Sequence, residues 1–167
     1  YGPSGVGKTH LCHAIGLRIR ELYPELKVLY VSSHMFEMQY VAATRANTTN
    51  DFINFYQQVD VLLIDDIQGL IAKKKTQLTF FQVFNHLYML GKQIVLTSDT
   101  APVNLAGLEE RLISRIAGSL TIEVERPDYD LRREYLRHKS EESGSILPQE
   151  MIDYIARTVT SSIRGLQ

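Results

Sequence analysis

The chain is poor in the features that would commit it to several large functional classes. It has one cysteine, Cys12, in 167 residues, so no internal disulfide can form, and no spaced Cys/His set offers a zinc site. A reducing cytosol is the simplest home. No stretch reaches the ~18 consecutive apolar residues of a membrane span, and the first residues lack the charged-then-apolar order of a signal peptide. Neither sign of charge is in excess: 18 Lys and Arg against 19 Asp and Glu leave a formal net charge of −1. That is not the basic footprint of a domain held to DNA by general phosphate attraction, so any nucleic-acid contact must be local or lie in other segments. Internal repeats and low-complexity segments are absent as well. With 44% hydrophobic and 22% charged residues, the chain reads as ordinary and globular, with room for one core and a small appendage.

Periodicity supplies the next layer. Lys8 to Leu22 has helical spacing, and Lys27 to Ser32 is a short apolar, β-branched run typical of a buried strand. Ser33 is expected to cap a helix to about Thr44. A second short helix is expected over Thr48 to Gln58, with Phe52, Phe55 and Tyr56 on one face. Val61 to Asp65 reads as a strand, Thr76 to Leu90 as a helix burying Leu78, Phe81, Phe84, Leu87 and Tyr88 and ended by Gly91, and Gln93 to Thr97 as a strand. A helix around Glu109 to Ile116 and a strand Leu120 to Val124 follow. Apolar strands alternating with helices predict an α/β fold with a parallel sheet flanked by helices. After Arg126-Pro127-Asp128 only helices are expected: Tyr129 to Glu142, Pro148 to Val159, and a third from near Ser161. Residues 1–126 therefore read as an α/β core and 127–167 as the start of a small all-helical lid subdomain. Tyr1-Gly2-Pro3 enters the first motif without a preceding strand, and Arg164 to Gln167 reads as mid-helix, as expected of a truncated piece.

Gly2-Pro3-Ser4-Gly5-Val6-Gly7-Lys8-Thr9 fits G-x-x-x-x-G-K-[ST] at every fixed position. Glycines let the backbone curl so that successive N–H groups face phosphates, the following helix adds its positive end, and Lys8 reaches the β/γ oxygens. Thr9 would ligate Mg²⁺. The motif precedes a helix and is followed by strands that end in acid, which favours nucleoside triphosphate binding over an accidental glycine-rich turn. Asp65, at a strand's C-terminal end, would close the magnesium site; the competing reading is a helix N-cap. Asp66 stands where a vigorous ATPase of this type carries Glu, and would polarise water from one methylene short of that position.

The chain has no N-K-x-D guanine reader. Behind GPSGVGKTHL come, in order, Asp65-Asp66-Ile67-Gln68, Leu96-Thr97-Ser98-Asp99 and Glu110-Arg111-Leu112-Ile113-Ser114-Arg115. This set closely resembles the AAA+ P-loop NTPase module of the bacterial chromosomal replication initiators, the DnaA family, over essentially the whole chain. The resemblance implies ATP/ADP and Mg²⁺ as cofactors, with Gly2, Ser4, Gly5, Val6, Gly7, Lys8, Thr9 and His10 at the nucleotide. It makes Asp99 the sensor-1 residue, Arg115 an arginine finger reaching the ATP of a neighbouring subunit, Arg111 its companion, and Arg164 the sensor-2 cation of the lid. Loop capping by Asp99 and a solvated face for the two arginines are the bland alternatives. Gly165 and Gln167 replace two family glutamates, and Ile116 replaces a Phe. The family's helical insertion corresponds to 34–58, where Glu37 and Met38 depart from the apolar residue expected.

For partners, the resemblance implies single-stranded DNA in the channel of an ATP-state homo-oligomer, touched by Lys73, Lys74 and Lys75, which on charge alone read equally as a solvated loop. Duplex origin DNA is expected to be read by a separate C-terminal domain. A replicative helicase and acidic phospholipid are expected to meet other segments of the full-length protein. The function expected is ATP-switched origin unwinding with slow hydrolysis, catalysed by Asp66, Asp99 and Arg115. A helicase loader or a regulatory initiator paralogue that promotes hydrolysis is the alternative.

Overall fold

A computed structural model describes the chain except Ile146, Ser161 and Gln167. Two compact units emerge: Tyr1 with Thr9–Ile122, and Gly2–Lys8 with Glu123–Gln167. Among the described residues no helix is long and apolar enough to cross a membrane.

The larger unit is built on three parallel strands in the order β1 (Val28–Ser32), β2 (Val61–Asp65), β3 (Gln93–Leu96). Every residue of β2 is buried, as a central parallel strand covered on both faces requires. Register pairs Val28 with Val61 and Ser32 with Asp65 on one side, and Leu62 with Ile94 on the other. Because side chains alternate, β2 divides its residues between two cores. Leu62 and Ile64 join Val31, Phe36, Tyr56, Phe80, Phe84, Leu112 and Ile116 on one face. Val61 and Leu63 join Cys12, Ile15, Val28, Tyr30 and Val95 on the other, under helix α1 (Lys8–Leu22). Gly16 allows that helix to sit close, since a Cβ there would lie 2.7 Å from Leu63 Cδ1.

Helices α2 (Ser33–Arg45) and α3 (Thr49–Gln57) cover the first face. Phe36, fully buried, is their hub: its ring meets Phe52 at 5.1 Å, Tyr56 at 4.8 Å and Phe80 at 5.4 Å, all edge-on. The expected α3 face is only partly realised, because Phe55 is 56% exposed. The cap of α2 is Ser32, not Ser33: Ser32 Oγ accepts from Met35 N–H at 3.2 Å, while the buried Ser33 hydroxyl donates to the Asp66 carbonyl at 2.6 Å.

Helix α4 (Lys74–Met89) buries Gln77, Phe80, Val83, Phe84 and Leu87. The face is rotated from the one the sequence suggested, leaving Leu78 and Tyr88 largely exposed. Gly91, at φ +66°, ends it. Its N–H meets Tyr88 C=O, and Lys92 N–H meets Leu87 C=O, the paired bonds of a Schellman end. Helix α5 (Glu110–Ala117) then inserts Leu112 and Ile116 into the main core.

The strand expected over Leu120 to Val124 does not form. A ladder needs a neighbour of several residues. In this segment the Ile122 carbonyl accepts from the Tyr1 amine at 2.7 Å, and the Val124 backbone lies close against Gly2.

The smaller unit pairs α6 (Tyr129–Glu142) with α7 (Gln149–Thr158) over Leu136, Ile152, Ala156 and Leu166. Asp128 caps α6, accepting from Leu131 N–H at 2.8 Å. Buried Arg132 gives Nε–H to Ala156 C=O at 2.8 Å, satisfying a carbonyl near the end of α7. The expected helix start at Ser161 lies outside the described residues; Ile163–Leu166 forms a 3₁₀ turn.

Candidate functional site

The phosphate-loop motif forms a tight, glycine-dependent curl. Gly5 and Gly7 have φ of +81° and +101°, conformations that cost other residues strain. Lys8, 8% exposed, donates from Nζ to Gly2 C=O at 2.7 Å and Pro3 C=O at 2.8 Å, so its ammonium lies inside the loop it closes. Val6 is buried beneath, whereas Ser4 and His10 are exposed. The turn bearing Arg164 is fastened to this loop: Ile163 N–H donates to Gly5 C=O at 3.0 Å, and the Arg164 N–H reaches the same oxygen at 3.4 Å. Lys8, Gly5 and Arg164 thus come together in one unit.

In the other unit, side-chain alternation brings four residues together. Asp65 shares its sheet face with Val61 and Leu63, toward α1. Its buried carboxylate accepts three hydroxyls: Thr9 Oγ1 on Oδ2 at 2.8 Å, Tyr30 on Oδ2 at 3.0 Å, and Thr97 Oγ1 on Oδ1 at 2.5 Å. Thr9 comes from the first turn of α1, Tyr30 from β1 and Thr97 from just beyond β3. The N-cap alternative for Asp65 is not what its oxygens do. Sequence reasoning singled out Thr9 and Asp65 but gave no role to Tyr30 or Thr97. Strand register is what gathers them: Tyr30 pairs with Leu63, two residues before Asp65, and Thr97 lies two after Val95. Burial, then the hydrogen bond to Asp65 and its charge, push the Tyr30 hydroxyl well above its ordinary range. The Cys12 thiol is pushed up to about 12, first by burial and second by Asp65.

Asp66 points elsewhere. It is exposed and left-handed, with φ +57°, a conformation Asp tolerates better than most residues. Its backbone is clamped: the N–H donates to Thr97 Oγ1 at 2.9 Å, and its carbonyl accepts from Ser33 Oγ and from Gly69 N–H at 2.9 Å. Gln68 Nε2 donates to its carboxylate at 3.1 Å. Thr97 therefore bridges Asp65 and Asp66, fixing two adjacent acids in different settings. Asp99 is exposed in the bend after β3; the local capping bond is made by Ser98, whose Oγ accepts from Thr100 N–H at 3.3 Å.

The remaining candidates sit on other surfaces. Arg111 stacks over Phe81 with 4.4 Å from Cζ to ring centroid, and Arg115 over Tyr88 with 4.8 Å. Among the described residues neither arginine has an acidic partner at salt-bridge distance. Lys73 is engaged with Glu37, while Lys74 and Lys75 are exposed at the start of α4. The lysine run is thus divided, and the departure at Glu37 explains which lysine is held. No group of three or more His, Cys, Asp or Glu side chains is gathered as a metal site among the described residues.

The model of the bacterial DnaA ATPase domain matches residues 1–123. The chain belongs to that family. It is 65% identical over its 167 residues to the chromosomal replication initiator protein DnaA of Porphyromonas gingivalis, covering 100% of this chain and 35% of the relative. The chain thus spans about a third of the length of the curated relatives it matches. Domain III of the Thermotoga maritima replication initiation protein DnaA superposes with a TM-score of 0.95 at 38% identity, covering 99% of this chain and 70% of that one. A replication initiator DnaA bound to AMPPCP and single-stranded DNA superposes at 0.88 with 38% identity, covering 99% and 51%.

Proposed function

We propose that this chain is the ATP-binding switch module of a DNA replication initiator. Residues 1–126 would supply its α/β core and residues 127–167 its helical lid. The observation that carries the reading is the hydrogen bond from Thr9, the last residue of the motif, to Asp65 at the acidic strand end. A hydroxyl has one proton and two lone pairs. By donating its proton to Asp65, Thr9 keeps its lone pairs for a cation. The donors are hard oxygens and too few to hold a metal alone, which fits Mg²⁺ carried in on phosphates. Asp65 and Thr9 would hold that ion, which supplies charge neutralisation at the phosphates. The loop N–H groups with Ser4, Val6 and His10 would bind the triphosphate, Lys8 would exchange its carbonyl partners for phosphate oxygens, and Arg164 would sense the nucleotide from the lid.

Asp66, exposed beside Asp65, would orient the attacking water, with Asp99 as the sensor of the γ-phosphate region. The missing methylene relative to Glu makes hydrolysis to ADP slow and the ATP state long-lived. Arg115, with Arg111 beside it, would reach the nucleotide of the next subunit, and Lys74 and Lys75 would touch single-stranded DNA in the assembled oligomer. Support comes from the family and from the relative solved with AMPPCP and single-stranded DNA. Origin duplex and helicase are proposed partners of the whole protein through other segments.

The test is nucleotide binding and turnover by the full-length protein carrying this chain. Tight ATP binding, lost in Lys8→Ala, with turnover well below one per second is expected. Turnover of several per second would overturn the switch reading.

A further inference from the structure

We propose that Tyr30 is a positioning residue for the nucleotide-bound cation, acting through Asp65. The inference rests on the magnesium reading above and adds a residue to it. Tyr30 has the credentials of a core residue: its ring packs on the α1 side of the sheet and meets the His13 ring at 4.1 Å. Its hydroxyl, however, does what packing alone does not require. It donates to Asp65 Oδ2 at 3.0 Å, the same oxygen that accepts the Thr9 proton at 2.8 Å.

A carboxylate on a short side chain can rotate about its terminal bond, and this torsion is broad and poorly fixed by intrinsic preference. Thr97 restrains Oδ1 at 2.5 Å. Tyr30 restrains Oδ2 from the opposite neighbour, β1, so donors from both flanking strands hold the plane of the group. Asp65 in turn fixes the direction of the Thr9 proton. The chain of orientation runs from the His13-packed Tyr30 ring to Asp65 and then to the Thr9 oxygen. Removing the Tyr30 hydroxyl leaves, among the described residues, Thr9 on Oδ2 and Thr97 on Oδ1, so the plane of the group loses its donor from β1. Partners of metal ligands of this kind typically change metal affinity by about ten- to a hundredfold when removed.

The experiment measures affinity for a fluorescent ATP analogue in the full-length protein, in EDTA and in saturating Mg²⁺, for wild type, Tyr30→Phe, Asp65→Asn and the double variant. Wild type should bind more tightly with Mg²⁺. Tyr30→Phe, which keeps the ring and its packing on His13, should bind as wild type does in EDTA but lose about tenfold of the Mg²⁺-dependent gain. In the Asp65→Asn background the same substitution should have no further effect. Two results overturn the proposal: an undiminished Mg²⁺ gain in Tyr30→Phe, or an equal loss in both Asp65 backgrounds, which would mean that Tyr30 acts through the fold. If wild type itself shows no Mg²⁺-dependent gain, the magnesium reading fails first and takes the role of Tyr30 with it. Thermal unfolding of each variant in EDTA separates folding from metal dependence. A purely structural tyrosine would lower the melting temperature and leave the Mg²⁺ gain unchanged.

Discussion

The Thr97 hydroxyl donates to Asp65 Oδ1 at 2.5 Å and accepts from the Asp66 N–H at 2.9 Å, so one side chain from just beyond β3 sets both the acid that ends β2 and the acid that follows it. Replacing Thr97 with Val preserves the shape and removes both bonds. The variant is expected to lose about 2–3 kcal/mol of stability, because a buried carboxylate loses a donor and a backbone N–H loses its acceptor. Thr97→Ser should recover most of it. Urea unfolding of the three proteins measures the loss, and an unchanged midpoint for Thr97→Val would contradict the bridging role.

Asp66 separates backbone from chemistry. Asn shares its size and its tolerance of left-handed backbone, so Asp66→Asn should stay within about 0.5 kcal/mol of wild type. Its hydrolysis should nevertheless fall toward the rate without base assistance, a loss of at most about 10²-fold, the low end of general-base help, because the short acid is set back from the water. Asp66→Glu restores the longer reach and should hydrolyse faster in a single turnover. An unchanged or slower rate would remove the argument that the short acid lengthens the ATP state.

The strands were legible because their apolar runs are short and bounded, and the central β2 is apolar until its acids. Less legible was anything set by rotation or by neighbours. The α4 pattern permits two adjacent stripes. Tertiary contact selected Phe80, Val83 and Leu87, leaving Phe81 and Tyr88 to carry arginines. Leu120 to Val124 has strand composition, but pairing depends on what lies beside it. Around Asp65, Thr9 was readable from a motif, whereas Tyr30 and Thr97 required the register of three strands.

The division among the three lysines makes a charge prediction. Each phosphate contact on a single strand contributes about 0.7 to the slope of log affinity against log salt. Lys74→Ala with Lys75→Ala should therefore weaken single-strand binding by the ATP-state protein and flatten its salt slope by about one to one and a half. Lys73→Ala should leave the slope unchanged, because that ammonium is engaged with Glu37. Anisotropy with a labelled oligonucleotide at several salt concentrations distinguishes them; equal effects from all three lysines would contradict the division.

Alkaline stability should be limited by buried acids that stay neutral in the fold. Burial raises Cys12 from an ordinary 9.0 to about 12 and Tyr56 from 10.0 to about 12. The unfolded chain therefore releases these protons first, so their contribution is complete below pH 9.0 and is lost as pH rises toward about 12. Urea midpoints measured upward from pH 8 should fall above about pH 9, and Cys12→Ala should blunt the earliest part of the fall. A flat profile through pH 10 would contradict the burial of both groups.

Arg115 lies on the ring of Tyr88 at 4.8 Å, a residue that is 49% exposed, with no acidic partner among the described residues. A guanidinium held by an aromatic face keeps its five donors free, whereas one held by a carboxylate would not. The stack therefore orders the side chain while leaving it able to engage an anion from outside. Arg115→Ala should abolish ATP-dependent self-association and leave ATP affinity intact, because its target is the nucleotide of another subunit. Tyr88→Ala should weaken association by about two- to fivefold, matching the roughly 0.5–1 kcal/mol of an exposed cation–π contact, and Tyr88→Phe should retain most of it. Sedimentation velocity with a non-hydrolysable ATP analogue reads all three. If Tyr88→Ala assembles like wild type while Arg115→Ala does not, the finger stands and the ring is only a packing surface. If Arg115→Ala loses ATP affinity in the monomer, the arginine serves its own subunit and the inter-subunit assignment is wrong.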